Sequence, residues 1–365
     1  MKRGRRHRGI SNDGGGGLMS WSGRGLCRAA SYRALLGLGR RKAAGPRGNR
    51  LRAAMSALSI LLAASEPARA TAGEAFAAHS AVSSSPLGTL PSGHVYVYVG
   101  IDGSTPRRFI IDTAASQTVI TPKFQAEIPS LRIKSPDVPL DGAMGSMQVK
   151  TAEIDRVEVA GHVFRSSEII LLPAGPLDRL EVDGVLGADI LSRLIVDLDM
   201  PARRWRMTSQ SGVEVSYPSW SSHSFVLDDR RTPRLSVRLG DATIPAVLDT
   251  GASRTILNWA AANAIGVTRE DAGLSDGPNI RGATSHSLES VEKTLDQLAV
   301  GDAVMRSPSV QIADLPAFEM LGFGAGQPAI ILGIDMFADR RLVIDYPCSR
   351  LHISGPASST GAASR

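Results

Sequence analysis

Three sequence elements occur twice in the chain, in the same order, and this limits the fold to two similar halves. The first is an alternating strand, a tight turn, a second strand and then Asp-Thr-small-Ala-Ser. It reads HVYVYVGIDGSTPRRFIIDTAASQTVIT at 94–121 and RLSVRLGDATIPAVLDTGASRTILN at 234–258. The second is an apolar run into Leu-Gly-x-Asp, DGVLGADIL at 183–191 and AIILGIDMF at 329–337. The third is LIVDLDMPARRWRM at 194–207 and LVIDYPCSRLHIS at 342–354. The copies lie 137 residues apart at the Asp-Thr element and 146 apart at the Leu-Gly element. One matching element would mean little, but three in register mark a duplicated unit.

The patterning within each unit is that of β-structure. Apolar and polar residues alternate, and turn residues separate the runs at Asp102 and Gly103, Ala160 and Gly161, Gly240 and Asp241, and Gly301 and Asp302. Short helices are expected at 259–265 and after each Leu-Gly, at 189–193 and 335–338. The fold class is mostly β, with an N-terminal lobe over 93–215 and a C-terminal lobe over 224–355. Residues 71–92, rich in Ala, Ser, Gly and Pro, read as a linker, and 356–365 as a disordered tail.

The formal charge of +6 invites a nucleic-acid reading, but its distribution removes it. Residues 1–70 carry 15 basic and two acidic side chains, so the remainder is net −7. The folded part therefore lacks the basic footprint that phosphates require. The basic head has a simpler reading. An Arg-rich stretch at 40–52 precedes the apolar run AAMSALSILLAAS at 53–65, followed by small residues at Ala68 and Ala70. That is the layout of an export signal, and it points to a periplasmic or secreted product. Thirteen residues are too few to span a bilayer comfortably, so a stable membrane span is not expected. Removing this head takes Cys27 with it and leaves Cys348 with no partner for an internal disulfide. The histidines show no HExxH or comparable spacing, and neither a metal nor another cofactor is expected.

The duplicated Asp carries the chemistry. An apolar strand running into Asp-Thr-small places a carboxylate at the end of a buried strand. One such group is usually a turn or cap residue, but two, Asp112 and Asp249, can meet on the axis between lobes. Carboxylates about 3 Å apart cannot both ionise, so the pair holds one proton over a wide pH range. The ionised member can take a proton from water while the protonated member polarises a substrate carbonyl. Ala114 and Gly251 let the backbone turn tightly beside the carboxylates. Thr113 and Thr250 can hydrogen-bond across the axis and lock the loops.

These residues resemble the aspartic proteases, and more closely the retropepsin-like branch in a single-chain, two-lobed form. The match is VLDTGAS at 247–253 with Ile331, Leu332 and Gly333. Its counterpart in the first lobe is Asp112 to Ser116 with Val185, Leu186 and Gly187. The resemblance implies two six-stranded-type β-barrel lobes of the acid-protease fold with a cleft between them. It further implies that the Leu-Gly motif closes each Asp loop, and that Ser116 and Ser253 contact the substrate backbone. Mobile covers are implied at 141–148, with Gly142 and Gly145, and at 281–287, with Gly282. Alanine three residues after each Asp, Ala115 and Ala252, removes a hydroxyl that would stabilise the anion, which implies a less acidic optimum than pepsin-type enzymes have. The implied activity is hydrolysis of peptide or protein substrates by a monomer.

The family generally has glycine where this chain has Ala114. That departure leaves an alternative open, a peptide- or protein-binding module that keeps the fold with impaired catalysis. The other conspicuous residues have structural readings. Asp189 and Asp335 are expected to cap the short helices that follow them. Asp197 and Asp345 are expected to be structural, and Arg203, Arg204, Arg340 and Arg341 to be solvated ends of strands or turns. His162, His223, His286 and His352 are scattered.

Overall fold

The computed structural model describes residues 84–142, 145–209, 217–281 and 287–357. Two β-lobes stand on either side of a six-stranded sheet to which both contribute. In the first lobe, strand Val95–Ile101 pairs with Arg107–Ile111 across the turn at Asp102 and Gly103. Asp102 has φ 49° and Gly103 φ 80°, left-handed values that explain the Asp-Gly choice. Arg107–Ile111 then pairs in parallel with Gly184–Leu186, which pairs with Val119–Ile120. The ladder continues to His162–Leu171, to Gly145–Val159, and back to Val95–Ile101. Six strands therefore close into a barrel, so no long edge is left unpaired.

The second lobe repeats this path. Pro233–Leu239 pairs with Ala242–Leu248, which pairs in parallel with Ile330–Leu332, followed by Ile256–Leu257 and Ser309–Ile312. The long hairpin of the first lobe appears here in two pieces, broken near Asp296 and Ser307. Val291–Thr294 pairs with Ser309–Ile312, and Gln297–Val300 pairs with Ala303–Arg306 and back onto Pro233–Leu239. The inward positions are apolar throughout. Val95, Val97, Val99 and Ile101 alternate with outward residues in one lobe, as do Leu235, Val237 and Leu239 in the other. Burial of such side chains contributes about 1.5–3 kcal/mol each before entropy is counted.

The third repeat builds the shared sheet. Ile195–Asp199 pairs antiparallel with Arg341–Asp345, each flanked by its own hairpin partner, Arg204–Thr208 or Arg350–Ile353. Asp197 is buried between the halves, where it accepts from Arg206 Nε at 2.7 Å and from Arg341 Nε at 2.7 Å. Arg341 is thus a cross-lobe ion-pair partner rather than a solvated end. Arg340 is buried too, donating to the carbonyls of Ser354 and Val304. Two arginines at a strand start looked solvated because their acceptors come from distant segments.

Further points concern the flanking segments and the cysteines. The stretch read as linker is built into the fold from Ser84 onward: Ser85–Pro86 joins the shared sheet and Gly88–Thr89 joins the first barrel. Residues 71–83 of that stretch, the basic head, Gly282 and 358–365 lie outside the described residues. In the full chain Cys348 is disulfide-bonded, while the expectation of no internal disulfide concerned the chain without its head. It sits half-buried in the turn before Arg350–Ile353. Among the described residues no helix is long and apolar enough to cross a membrane.

Two glycines are required by close backbone approach. A Cβ on Gly187 would lie 2.5 Å from the Gln117 carbonyl carbon, and one on Gly333 would lie 2.6 Å from that of Arg254. Backbone cannot move aside as a side-chain end can. Gly187→Ala and Gly333→Ala should each lower unfolding free energy by about 1–3 kcal/mol, read as a drop in urea midpoint.

Candidate active site

The first and second repeats meet at the centre of the molecule. In each lobe the strand before the Asp runs parallel to the Leu-Gly strand, and the Asp amide donates to that strand's last carbonyl. Asp112 N–H reaches Leu186 O at 3.0 Å, and Asp249 N–H reaches Leu332 O at 3.0 Å. The residues after each Leu-Gly return the contact, with Ala188 N–H on Ala115 O at 2.7 Å and Ile334 N–H on Ala252 O at 3.0 Å. Each Asp loop is therefore held by its own lobe on both sides.

The loops are joined to each other by two threonines. Thr113 N–H donates to Thr250 Oγ1 at 3.1 Å, and Thr250 N–H donates to Thr113 Oγ1 at 3.1 Å. Each hydroxyl also donates across the axis, Thr113 Oγ1 to Leu248 O at 2.6 Å and Thr250 Oγ1 to Ile111 O at 2.8 Å. Both threonines are fully buried. The equal distances show a twofold arrangement, so the carboxylates of Asp112 and Asp249 face one another and hydrogen-bond.

Burial raises the pKa of Asp112, opposed by amide hydrogen bonds from Ala114 at 2.8 Å and Ala115 at 2.9 Å. Asp249 is pushed well above the ordinary carboxyl range, first by burial and then by the charge of Asp112. Its Oδ1 accepts the Ala252 amide at 3.0 Å. The site can thus hold one proton between two carboxyl groups to a higher pH than an ordinary carboxyl would.

Gly251 is explained by the same geometry. A Cβ there would stand 2.3 Å from Asp112 Cγ and 2.4 Å from Oδ2, so the Asp112 carboxyl lies against bare backbone. Ser116 and Ser253 are half-buried, each four residues after its Asp. Near Ser253 runs the chain just before the first barrel. Gly93, at φ 87°, would place a Cβ 3.3 Å from Ser253 Cβ. His94 follows, bonded through Nδ1 to Ser92 Oγ at 2.8 Å, with its pKa lowered by burial. Nothing in the local sequence announces this contact, because it joins the start of one lobe to the Asp loop of the other.

Both expected covers begin as hairpins. Val138–Gly142 pairs with Gly145–Val159 until Gly142 faces Gly145, and Ile280–Arg281 pairs with Ser287–Leu288. The tips, Ala143 and Met144 in one and 282–286 in the other, lie outside the described residues.

Asp189 and Asp335 do not cap helices. The N-cap positions are Gly187 and Gly333, and neither makes a side-chain cap. Instead Asp189 Oδ1 accepts from Thr118 Oγ1 at 2.8 Å, and Asp335 accepts the Thr255 hydroxyl at 2.8 Å and its amide at 3.0 Å. Each threonine is six residues after its loop's Asp, and each hydroxyl also accepts the Leu-Gly amide. Burial raises the pKa of both carboxyls. The signal for this role was present in the sequence, since DTAASQT and DTGASRT both end in Thr.

Two β-barrel lobes presenting paired Asp-Thr loops across a twofold define the class of two-lobed aspartic peptidases. The model of the aspartyl protease family matches residues 97–190 and 235–336, once in each lobe, and the chain belongs to that family. A search of curated proteins returns no match.

Replacing either threonine of the cross-lobe pair by valine keeps shape but strips one buried N–H and one carbonyl of their partners. Thr113→Val and Thr250→Val should each cost about 2–4 kcal/mol in denaturant unfolding. The double variant should lose less than the sum, because opening either loop weakens both sets of bonds.

Proposed function

We propose that this protein is an aspartic endopeptidase whose catalytic pair is Asp112 and Asp249, acting on extended segments of peptide or protein in the cleft between the lobes. The observation that carries this reading is the half-buried, hydrogen-bonded carboxyl pair set on threonine-locked loops. A binding module would gain nothing from burying two acids against one another, since that arrangement costs desolvation and repulsion. Catalysis has a use for it.

The step balances without metal or covalent intermediate. The water oxygen bonds to the scissile carbonyl carbon while the ionised carboxylate takes a water proton. The carbonyl π pair moves onto oxygen, which receives the proton of the other carboxyl. In the second half the C–N bond breaks, the nitrogen takes a proton from the first carboxyl, and the diol returns one to the second. Product release leaves the pair with one proton, as it began.

Ser116 and Ser253 stand at the ends of the loops, positioned to meet the backbone of an extended substrate. The two hairpins carrying Gly142, Gly145 and Gly282 would cover it and exclude water. The basic, apolar head supports export to the periplasm or beyond. Duplication supplies both halves of the site from one chain, which supports a monomer.

Two measurements test the reading. Asp112→Asn and Asp249→Asn should each abolish cleavage of a mixed peptide library; full activity in either would refute the pair mechanism. The pH–rate profile should be a bell. Its acid limb marks uptake of a second proton and its alkaline limb loss of the shared one. Burial raises both carboxyls, and Ala115 and Ala252 offer no hydroxyl to lower them, so the maximum should fall between about pH 4 and 7. A maximum near pH 2–3 would contradict this.

A further inference from the structure

The two Asp loops differ at one position that touches the reacting groups. Gly251 has no Cβ, and one placed there would stand 2.3 Å from Asp112 Cγ. The twofold mate of Gly251 is residue 114, an alanine with φ in the ordinary negative range. The axis that sets position 251 against Asp112 sets position 114 against Asp249. The matched 3.1 Å threonine bonds show that the loop bases still superpose. Asp112 therefore lies on bare backbone, whereas the loop position that answers to it on the Asp249 side carries a methyl group.

The hydrogen bonds differ in the sense such a methyl would cause. Asp112 Oδ1 accepts two amides, Ala114 at 2.8 Å and Ala115 at 2.9 Å. Asp249 Oδ1 has the Ala252 amide at 3.0 Å, and the Gly251 amide is the weakest of the influences on it. A carboxyl held back from its loop amides loses stabilisation of its anion and keeps its proton.

We propose that Ala114 is a positioning residue that divides the labour of the pair: Asp112 is the carboxylate that takes the proton from water, and Asp249 holds the shared proton and gives it to the substrate carbonyl. The assignment of roles rests on the hydrolytic reading above, while the asymmetry that underlies it does not. Few other described groups bear on the pair. Tyr346, on the strand end beneath, is fully enclosed and carries a raised pKa, from burial first and then the Asp112 charge. Its counterpart in the other half of the repeat is Leu198, so this neighbour too is one-sided. Asp189 and Asp335 stand behind the loops, bound to Thr118 and Thr255.

The test is a carboxyl-carbon NMR titration of the full chain labelled with 13Cγ-aspartate, using Asp112→Asn and Asp249→Asn to assign the two resonances. Asp112 should ionise first, with Asp249 following by about one pH unit or more. Ala114→Gly should shrink that separation to less than half and move the alkaline limb of the pH–rate profile downward. Ala114→Ser, which keeps a Cβ, should preserve the wild-type order. The proposal is overturned if Asp249 ionises first, or if Ala114→Gly leaves order and separation unchanged. A purely structural role for Ala114 would alter unfolding midpoints and leave the titration where it was. Because the titration needs no turnover, a folded chain that cleaves no peptide yet shows this order would refute the hydrolytic reading and leave the asymmetry standing.

Discussion

The reciprocal threonine bonds are the constraint on which the rest of the molecule depends. Each hydroxyl accepts the amide of the opposite loop and donates to a carbonyl of the opposite lobe, so three polar groups per side are satisfied only when the lobes are together. Separated lobes would expose these groups to water at little cost, but buried and misaligned they would be left unpaired at several kcal/mol. The arrangement therefore permits one relative position of the lobes, and that position brings Asp112 against Asp249. The interaction that holds the halves together also creates the electrostatic problem that the site exploits.

Solving that problem requires stiffness, and the Leu-Gly-x-Asp segments provide it. Gly187 and Gly333 let each segment lie directly on the backbone beyond its Asp loop, closer than any side chain would allow. From there the aspartates two residues on, Asp189 and Asp335, reach Thr118 and Thr255. Each loop is thereby fixed at its start by a β-ladder, at its middle by the opposite lobe and at its end by a buried carboxyl. A carboxylate pair on yielding loops would relax apart. On these it cannot, and it keeps a proton instead.

Much of this was legible in the sequence because duplication doubles every signal. The two Asp-Thr loops, the hairpin turns, the Leu-Gly segments that close the loops and the expected pairing of Asp112 with Asp249 follow from elements that recur in order. What escaped involved contacts between segments that share no pattern. Arg340 and Arg341 looked solvated because Val304, Ser354 and Asp197 reach them from elsewhere. Gly93 lies against Ser253 across the lobe boundary, which no local motif encodes. Asp189 and Asp335 were misassigned for a different reason. An acidic residue opening a short helix has a capping role by default, and only the matching Thr at the end of both loops distinguishes a tether from a cap.

The break in the duplication at Ala114 is also explained by it. In an assembly of two identical chains, a residue at the glycine position of the loop appears on both sides of the axis. An alanine there would press a methyl group on each carboxyl at once, at distances near the 2.3 Å found for a Cβ at 251. Such a pair would have to separate, and the threonine bonds forbid it. A single chain carrying both copies escapes this symmetry, because one loop can keep Gly251 and receive the facing carboxyl while the other takes Ala114. A twofold pair shares its proton between equivalent acids, and only the bound substrate distinguishes them. A polypeptide has direction, and a pair whose proton rests on one named side matches it. On the division of labour proposed for Ala114, the substitution acts on the one property that fusion frees from symmetry.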